Sequence, residues 1–281
     1  MIKHTKRVSR STAGNVTVIA FLLLFGVFMI LPLYYMVISS LKPTSELFYF
    51  PPKFYVVKPT VQNFLNLIKL QSQSDVPFER YLFNSVFVTV VATVGYVLIA
   101  SMAAYALSKH KFPLKKYITQ GVVFAILFRP EVTSVPLYIL MVKTGVIDNY
   151  WAVILPAMAG SFGVFLLQQF LDNVPNEMIE AARIDGAGEF RIYWQIVMPL
   201  VKPAWLTLLV TTFQSVWNAG ASGYVWDESL KTFNTAIAQI GTVSAGASSA
   251  GSVVMMSVPI IIFIVNQSKI VETMGSSGMK D

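Results

Sequence analysis

Long, uninterrupted apolar runs dominate the chain, and their length sets the first expectation. Six runs approach the ~20 residues that a helix needs to cross a hydrocarbon layer ~30 Å thick. They lie at about 15–40, 82–107, 117–142, 151–170, 204–222 and 251–266, the last being the shortest. The pattern predicts an all-α integral membrane protein with six transmembrane helices: a tail over 1–14, then a transmembrane domain over 15–281 with one long polar connection over 172–203.

Several polar or small residues interrupt these runs. The second carries Gly95, Ala100, Ala103, Ala104 and Ala106. At three- and four-residue spacing these let helix backbones approach closely, so a central packing helix is expected. The third is broken by Arg129-Pro130-Glu131, followed by Pro136. Charges at membrane depth cost at least ~2.5 kcal/mol each on insertion scales. Arg129 and Glu131 therefore face a water-filled pathway or a partner, or else the break sits at the interface and both snorkel. The fifth run ends on Gln214, Trp217 and Asn218, an aromatic face beside two amides, which suits sugar binding and equally suits helix-to-helix hydrogen bonding. The proline- and aromatic-rich stretch 41–81 cannot be one helix and is expected to pack as an external cap, as a docking surface or a plain connector. Gly241–Ser252, rich in glycine, serine and alanine, is expected to be flexible before the last helix.

Composition agrees with a lipid solvent: of 281 residues 55% are apolar and 12% charged. The net charge of +7 sits in short clusters beside apolar runs rather than in a stripe with interleaved aromatics, which argues against nucleic acid. Thirteen basic residues flank the ends assigned to the cytoplasm and seven the opposite ends, so both termini and the 172–203 connection are expected inside. Lys3, Lys6, Arg7 and Arg10 precede the first run, which is too long for a cleaved signal and reads as a retained anchor. The absence of cysteine excludes disulfides and thiolate chemistry, and His4 and His110 lie in basic juxtamembrane stretches better suited to charge than to metal.

The connection parses as two short helices. Asn173 can cap the first, Pro175 suits its first turn, and Gly186 permits the left-handed turn that stops it. The second is expected over about Glu189–Val197, ending before Pro199. Ala181 and Ala182 leave room for a partner surface, with Glu177 and Glu180 near them and Arg183 and Asp185 beyond. Phe190, Tyr193, Trp194 and Val197 form an apolar stripe that would seat the second helix on the membrane interface or the spans. Physics alone leaves two readings open: a plug for a partner's groove, or a surface-lying amphipathic pair with no partner.

Glu180-Ala181-Ala182, Asp185-Gly186-Ala187, Ile196 and Pro199-Leu200 match, in order and spacing, the EAA signature of binding-protein-dependent ABC importer permeases. The resemblance covers nearly the whole chain and is closest to the carbohydrate branch, type I permeases similar to the smaller permease of the maltose transporter. Ser40-Leu41-Lys42-Pro43, Asn84-Ser85, Ala104-Tyr105-Ala106, Pro136-Leu137-Tyr138, Trp217-Asn218 and Gly278-Met279-Lys280 also match. The chain departs from the family after Trp217-Asn218, where it reads Ala-Gly-Ala-Ser-Gly-Tyr, and at Val271-Glu272-Thr273-Met274.

The resemblance implies a permease of a bacterial inner membrane that pairs with a second, homologous permease, two ATP-binding cassette ATPases and an external sugar-binding protein. Glu180 and Gly186 would then be central to ATPase coupling, with Ala181, Ala182 and Asp185 in support. It further implies sugar import, of oligosaccharides and, by similarity, of plant-polysaccharide and uronic-acid-containing ones. No Gly-x-x-x-x-Gly-Lys loop is present, so ATP and its magnesium belong to the partner ATPases and this chain is expected to bind no cofactor and to be no enzyme. A self-sufficient secondary transporter, the rival, should show two related halves and intramembrane carboxylates, of which Glu131 is the single clear candidate.

Overall fold

The computed structural model describes residues 12–71, 76–128, 130–220 and 223–277. Arg129, residues 1–11 of the tail and Gly278-Met279-Lys280 lie outside them. Secondary structure among the described residues is helical throughout. Four helices are long and apolar enough to cross a membrane: Gly14–Ser40, Phe78–Lys109, Trp151–Asp172 and Ala245–Ile262. Two bent pairs bring the number to six if each is one span, Lys115–Ile126 with Glu131–Thr144 at 111° and Glu189–Leu200 with Lys202–Asn218 at 82°.

The chain divides into two compact units, residues 1–69 with 240–254, and residues 70–239 with 255–281. In the first unit α1 (Thr12–Ser40) is followed by the short α2 (Thr44–Leu47) and by α3 (Gln62–Gln71). Lys42, only 2% exposed, donates to the carbonyl of Lys53 and lies 5.2 Å from the Tyr35 ring centroid, so its buried charge is solvated by a dipole and a π face. Buried Asn63 donates from Nδ2 to the carbonyls of Ser40 and Lys42 at 2.8 and 2.7 Å. Glu46 accepts the amides of Val57 and Lys58 at 3.0 Å each. The connector after α1 is thus a folded element held by the polar contacts of Lys42, Glu46 and Asn63.

The second unit is organised on α4 (Phe78–Lys109), which packs against α7 (Trp151–Met158), α8 (Ser161–Asp172) and α12 (Lys202–Asn218). Ala92, Ala100 and Ala104 on its buried face are wholly inaccessible, the close approach that small residues allow. The fourth span is two helices, broken at Ala159 and Gly160. Across the break the Tyr96 hydroxyl of α4 accepts the Gly163 amide at 2.7 Å, satisfying a donor at the start of α8 that has no partner within its helix. A Cβ on Gly163 would lie 2.7 Å from that hydroxyl and 2.8 Å from Leu208 Cδ2, so any larger residue there must displace one of these side chains.

The third span is likewise two helices, α5 (Lys115–Ile126) and α6 (Pro130–Thr144). Pro130 opens α6, a position where its missing amide costs nothing, and Pro136 lies inside that helix. The last helix, α14 (Ala245–Ser277), follows α13 (Phe233–Gly241) and begins earlier than hydrophobicity indicates. The flexible stretch expected over Gly241–Ser252 is instead mostly helix, because its small residues form a packing face on which Ala247 and Ala250 are wholly buried.

Candidate functional site

Four elements build the connection between α8 and α12. They are α9 (Asn176–Ile184), α10 (Glu189–Arg191), a π-helical turn over Ile192–Val197 and α11 (Met198–Leu200). Pro175, rather than Asn173, takes the N-cap position of α9. The Asn173 side chain donates backwards to the carbonyl of Gln169 at 2.8 Å and closes the end of α8.

Helix α9 ends in two nested bonds. The Gly186 amide donates to the Arg183 carbonyl at 3.0 Å and the Ala187 amide to the Ala182 carbonyl at 2.9 Å, with Gly186 at φ +80°. This Schellman arrangement satisfies carbonyls that a helix end leaves open, and it requires a left-handed residue at Gly186. Ile179 and Ala182, three residues apart, face the core with Leu167, Leu171, Val174 and Tyr193. Ala182 is therefore a packing residue of this chain's own core, while Glu180, Ala181, Asp185 and Gly186 are exposed. Ile184 and Phe190, 87% and 76% exposed, stand on the same loop with no apolar cover from this chain.

The second half departs from the expected helix. The chain does not stop before Pro199 but continues to Leu200, because the π-helical turn relaxes the backbone first: the Met198 amide reaches back five residues to the Tyr193 carbonyl. The widened turn also splits the expected apolar stripe. Tyr193 and Val197 are buried together with Ile192, whereas Phe190 and Trp194 are exposed. The Tyr193 hydroxyl lies 2.7 Å from Ser101 Oγ of α4, which fixes the turn to that helix.

Both ends of α9 are tied to the same end of α4. At its start, Lys109 donates from Nζ to the Val174 carbonyl at 2.6 Å and to Asn176 Oδ1 at 3.2 Å, and Ser108 donates to Asp172 at 2.5 Å. Beyond its end, Glu189 accepts from Arg183 Nε at 2.8 Å and from the Tyr105 hydroxyl at 3.0 Å, with His110 Nε2 at 3.6 Å. The hydrogen bond from Arg183 holds the Glu189 carboxyl below the usual carboxylate range, the Tyr105 bond adds to it, and partial burial opposes both. His110, read from sequence as part of a charged tail, also meets the Tyr105 ring edge-on at 5.3 Å. Sequence reasoning missed Glu189, Tyr105 and Lys109: Glu189 lies 6 positions from Arg183 but 84 from Tyr105, and Val174 lies 65 from Lys109.

The opposite end of α4 holds a second polar centre. Asn84, wholly buried, donates from Nδ2 to the carbonyls of Ser229 and Lys231 at 2.8 and 2.9 Å and accepts the Tyr150 hydroxyl at 2.7 Å. Ser85 accepts the Phe233 amide at 2.8 Å. Asp148 accepts the amides of Trp226 and Asp227 at 2.9 and 2.8 Å. The loop between α12 and α13, over its described residues 223–232, is therefore fastened by side chain-to-backbone bonds to Asn84 of α4 and to Asp148 of the α6–α7 connection.

The other sequence candidates are dispersed. Glu131 is exposed in the first turn of α6, and its carboxylate pairs with no described residue. Gln214 and Asn218 are exposed on α12, with Asn218 Nδ2 bonded to the Gln214 carbonyl at 2.8 Å. Trp217 is buried, stacks on Phe213 at 5.8 Å and donates its indole N–H to the Met255 carbonyl at 3.0 Å. Near the break in the fourth span, Tyr96, Thr211, Thr212 and Ser215 line a cavity of about 280 Å³ with hydroxyl-bearing walls. No group of three or more His, Asp or Glu among the described residues is placed to hold a metal.

Residues 81–268 match the family described as binding-protein-dependent transport system inner membrane component. The chain is 32% identical to the sn-glycerol-3-phosphate transport system permease protein UgpE of Yersinia enterocolitica, over 80% of this chain and 78% of that one. It is 31% identical to the protein of the same name from Brucella abortus, over 73% of this chain and 72% of that one. Its fold superposes with a TM-score of 0.75 on a chain from the crystal structure of a bacterial ABC transporter involved in the import of the acidic polysaccharide alginate. That match covers 94% of this chain and 99% of the other at 21% identity, a likeness of fold.

Proposed function

Because this chain belongs to the family of binding-protein-dependent transport system inner membrane components, we propose that it is the permease subunit of an ATP-driven importer of sugars. In this reading α9 docks in a cleft of a partner ATPase, and the cargo class includes acidic oligosaccharides. The observation that carries the docking is the form of α9. One face is sealed into the core through Ile179 and Ala182, while the other presents Glu180, Ala181 and Asp185 outward and is stopped by the Gly186 turn. Exposed Ile184 and Phe190 beside it supply apolar surface that a partner would cover.

The energy enters from outside the chain. The ATPases hydrolyse ATP, and α9 hands the resulting displacement to α4 through the Lys109 and Glu189 ties. A basic cluster of Lys109, Lys111, Lys115, Lys116, Arg183, Arg191 and Lys202 supports a cytoplasmic assignment of this end. The second permease and the external binding protein complete the path, and the loop over 223–232 forms part of its outer face. The acidic-cargo reading is favoured by the names of similar proteins, one for a glycerol phosphate and one for alginate, both anionic.

Reconstitution in proteoliposomes with the second permease, the ATPases and the external binding protein tests this. Expected is ATP-dependent uptake of an oligouronate, no ATP turnover by the chain alone, and loss of uptake in Glu180→Lys with membrane insertion retained. Uptake of a neutral oligosaccharide or of sn-glycerol-3-phosphate instead would refute the cargo class alone. Normal uptake in Glu180→Lys would refute the docking.

A further inference from the structure

A groove of about 530 Å³ opens on the flank of α4 beside the π-helical turn and α12. Its walls are aliphatic, formed by Val94, Leu98, Met198 and Leu209 among others, and its rim carries Trp194, Trp205 and Lys202. Val94 and Trp194 are about half exposed, so the groove is open to the medium around the spans. Its polar groups are unevenly used. Trp205 Nε1 donates to the Met198 carbonyl at 3.1 Å. The Lys202 ammonium and the Trp194 indole N–H have no partner among the described residues.

We propose that this groove seats an acyl chain of an anionic phospholipid, with Lys202 and Trp194 meeting its phosphate. An aliphatic slot with a free ammonium and a free indole donor complements an anionic lipid, apolar where the acyl chain lies and cationic where the phosphate lies. Lys202 opens α12 where the chain bends by 82° out of the connection, and basic residues crowd this end of the molecule. Lysine and tryptophan favour that depth because each pairs an apolar body with a polar tip. A lipid held there contacts both the π-helical turn and α4, the two elements that the Tyr193–Ser101 bond already joins.

Native mass spectrometry of the assembled transporter, delipidated and then offered phosphatidylglycerol or phosphatidylcholine, tests the assignment. Phosphatidylglycerol should be retained about fivefold more strongly, the preference that one lysine near an anionic headgroup confers. Lys202→Met keeps the apolar stem and should abolish the preference without lowering thermal stability. Equal retention of both lipids, or an unchanged preference in Lys202→Met, would overturn it. A photo-reactive side chain at Leu98 gives a readout independent of Lys202: capture of phospholipid supports the site, and capture of the second permease overturns it.

Discussion

Gly186 offers the sharpest perturbation, since its environment isolates one physical cause. It has φ +80°, and a Cβ built on it meets no atom of this chain within 4 Å. A substituent there is not crowded; its cost lies in the backbone alone, about 1–2 kcal/mol for an L residue forced into the left-handed region. A penalty of that size shifts the balance between the closed turn and a frayed one by about 5- to 30-fold. Asparagine tolerates this region far better than alanine or a β-branched residue. ATP-dependent uptake by the assembled transporter should therefore fall in the order Gly186, Gly186→Asn, Gly186→Ala, Gly186→Val. The alanine variant should lose about tenfold, and the amount of inserted chain should not change. If alanine matches glycine, the turn does not need a positive φ. If asparagine is as damaging as alanine, the defect is a clash with a docked partner rather than backbone strain.

Glu189→Ala removes the acceptor shared by Arg183 and Tyr105, so ATP turnover by the assembled complex should persist while cargo moved per ATP falls; an unchanged ratio would dismiss the tie. Since the Glu189 carboxyl titrates below its ordinary range, its contribution is complete above that range and is lost as pH falls through the lowered value. The coupling ratio should accordingly be flat across neutral pH and drop only under acid. Asn84→Ala removes the bonds to the Lys231 carbonyl and the Tyr150 hydroxyl and leaves the Ser229 carbonyl with Arg80 alone, at about 1 kcal/mol per lost hydrogen bond; a melting temperature within a degree of wild type would contradict it. Tyr96→Phe keeps the ring but orphans the Gly163 amide, a loss of about 1–3 kcal/mol that thermal unfolding in detergent should register.

What could be read from sequence follows from how far each signal reaches along the chain. Spans 15–40 and 82–107 were legible because lipid demands a continuous apolar run, and the helices overrun those limits by only a few residues. The Gly186 stop was legible because its cause is local. Ala247 and Ala250 misled because small residues look slack in isolation and become a packing face only once a neighbour is present. Pro199 misled as a helix stop because the turn that accommodates it, with the Met198 amide bonded to the Tyr193 carbonyl, has no simple residue signature. The ties of Glu189 and Asn84 to distant elements were hidden for another reason: Tyr105 lies 84 positions from Glu189 and Lys231 lies 147 from Asn84, and no local pattern encodes either pairing.

These two centres lie on one helix, and that limits how α9 can act at a distance. A push on α9 that preserves the Lys109–Val174 and Tyr105–Glu189 bonds must carry the Lys109 end of α4 with it, since both ends of α9 are held. Lys109 and Asn84 are 25 steps apart on one continuous helix, about 38 Å at 1.5 Å per residue. Proline is absent from that stretch and Gly95 is its one glycine, so it lacks the usual causes of a sharp kink. At its far end Asn84 grips two loop carbonyls. Tilting of α4 then displaces the 223–232 loop without any local rearrangement, and cutting the Asn84 bonds weakens that link, leaving it to the Tyr81–Glu228, Arg80–Ser229 and Ser85–Phe233 bonds. An Asn84 variant that is folded and hydrolyses ATP yet moves less cargo per ATP would be the signature of that weakened link.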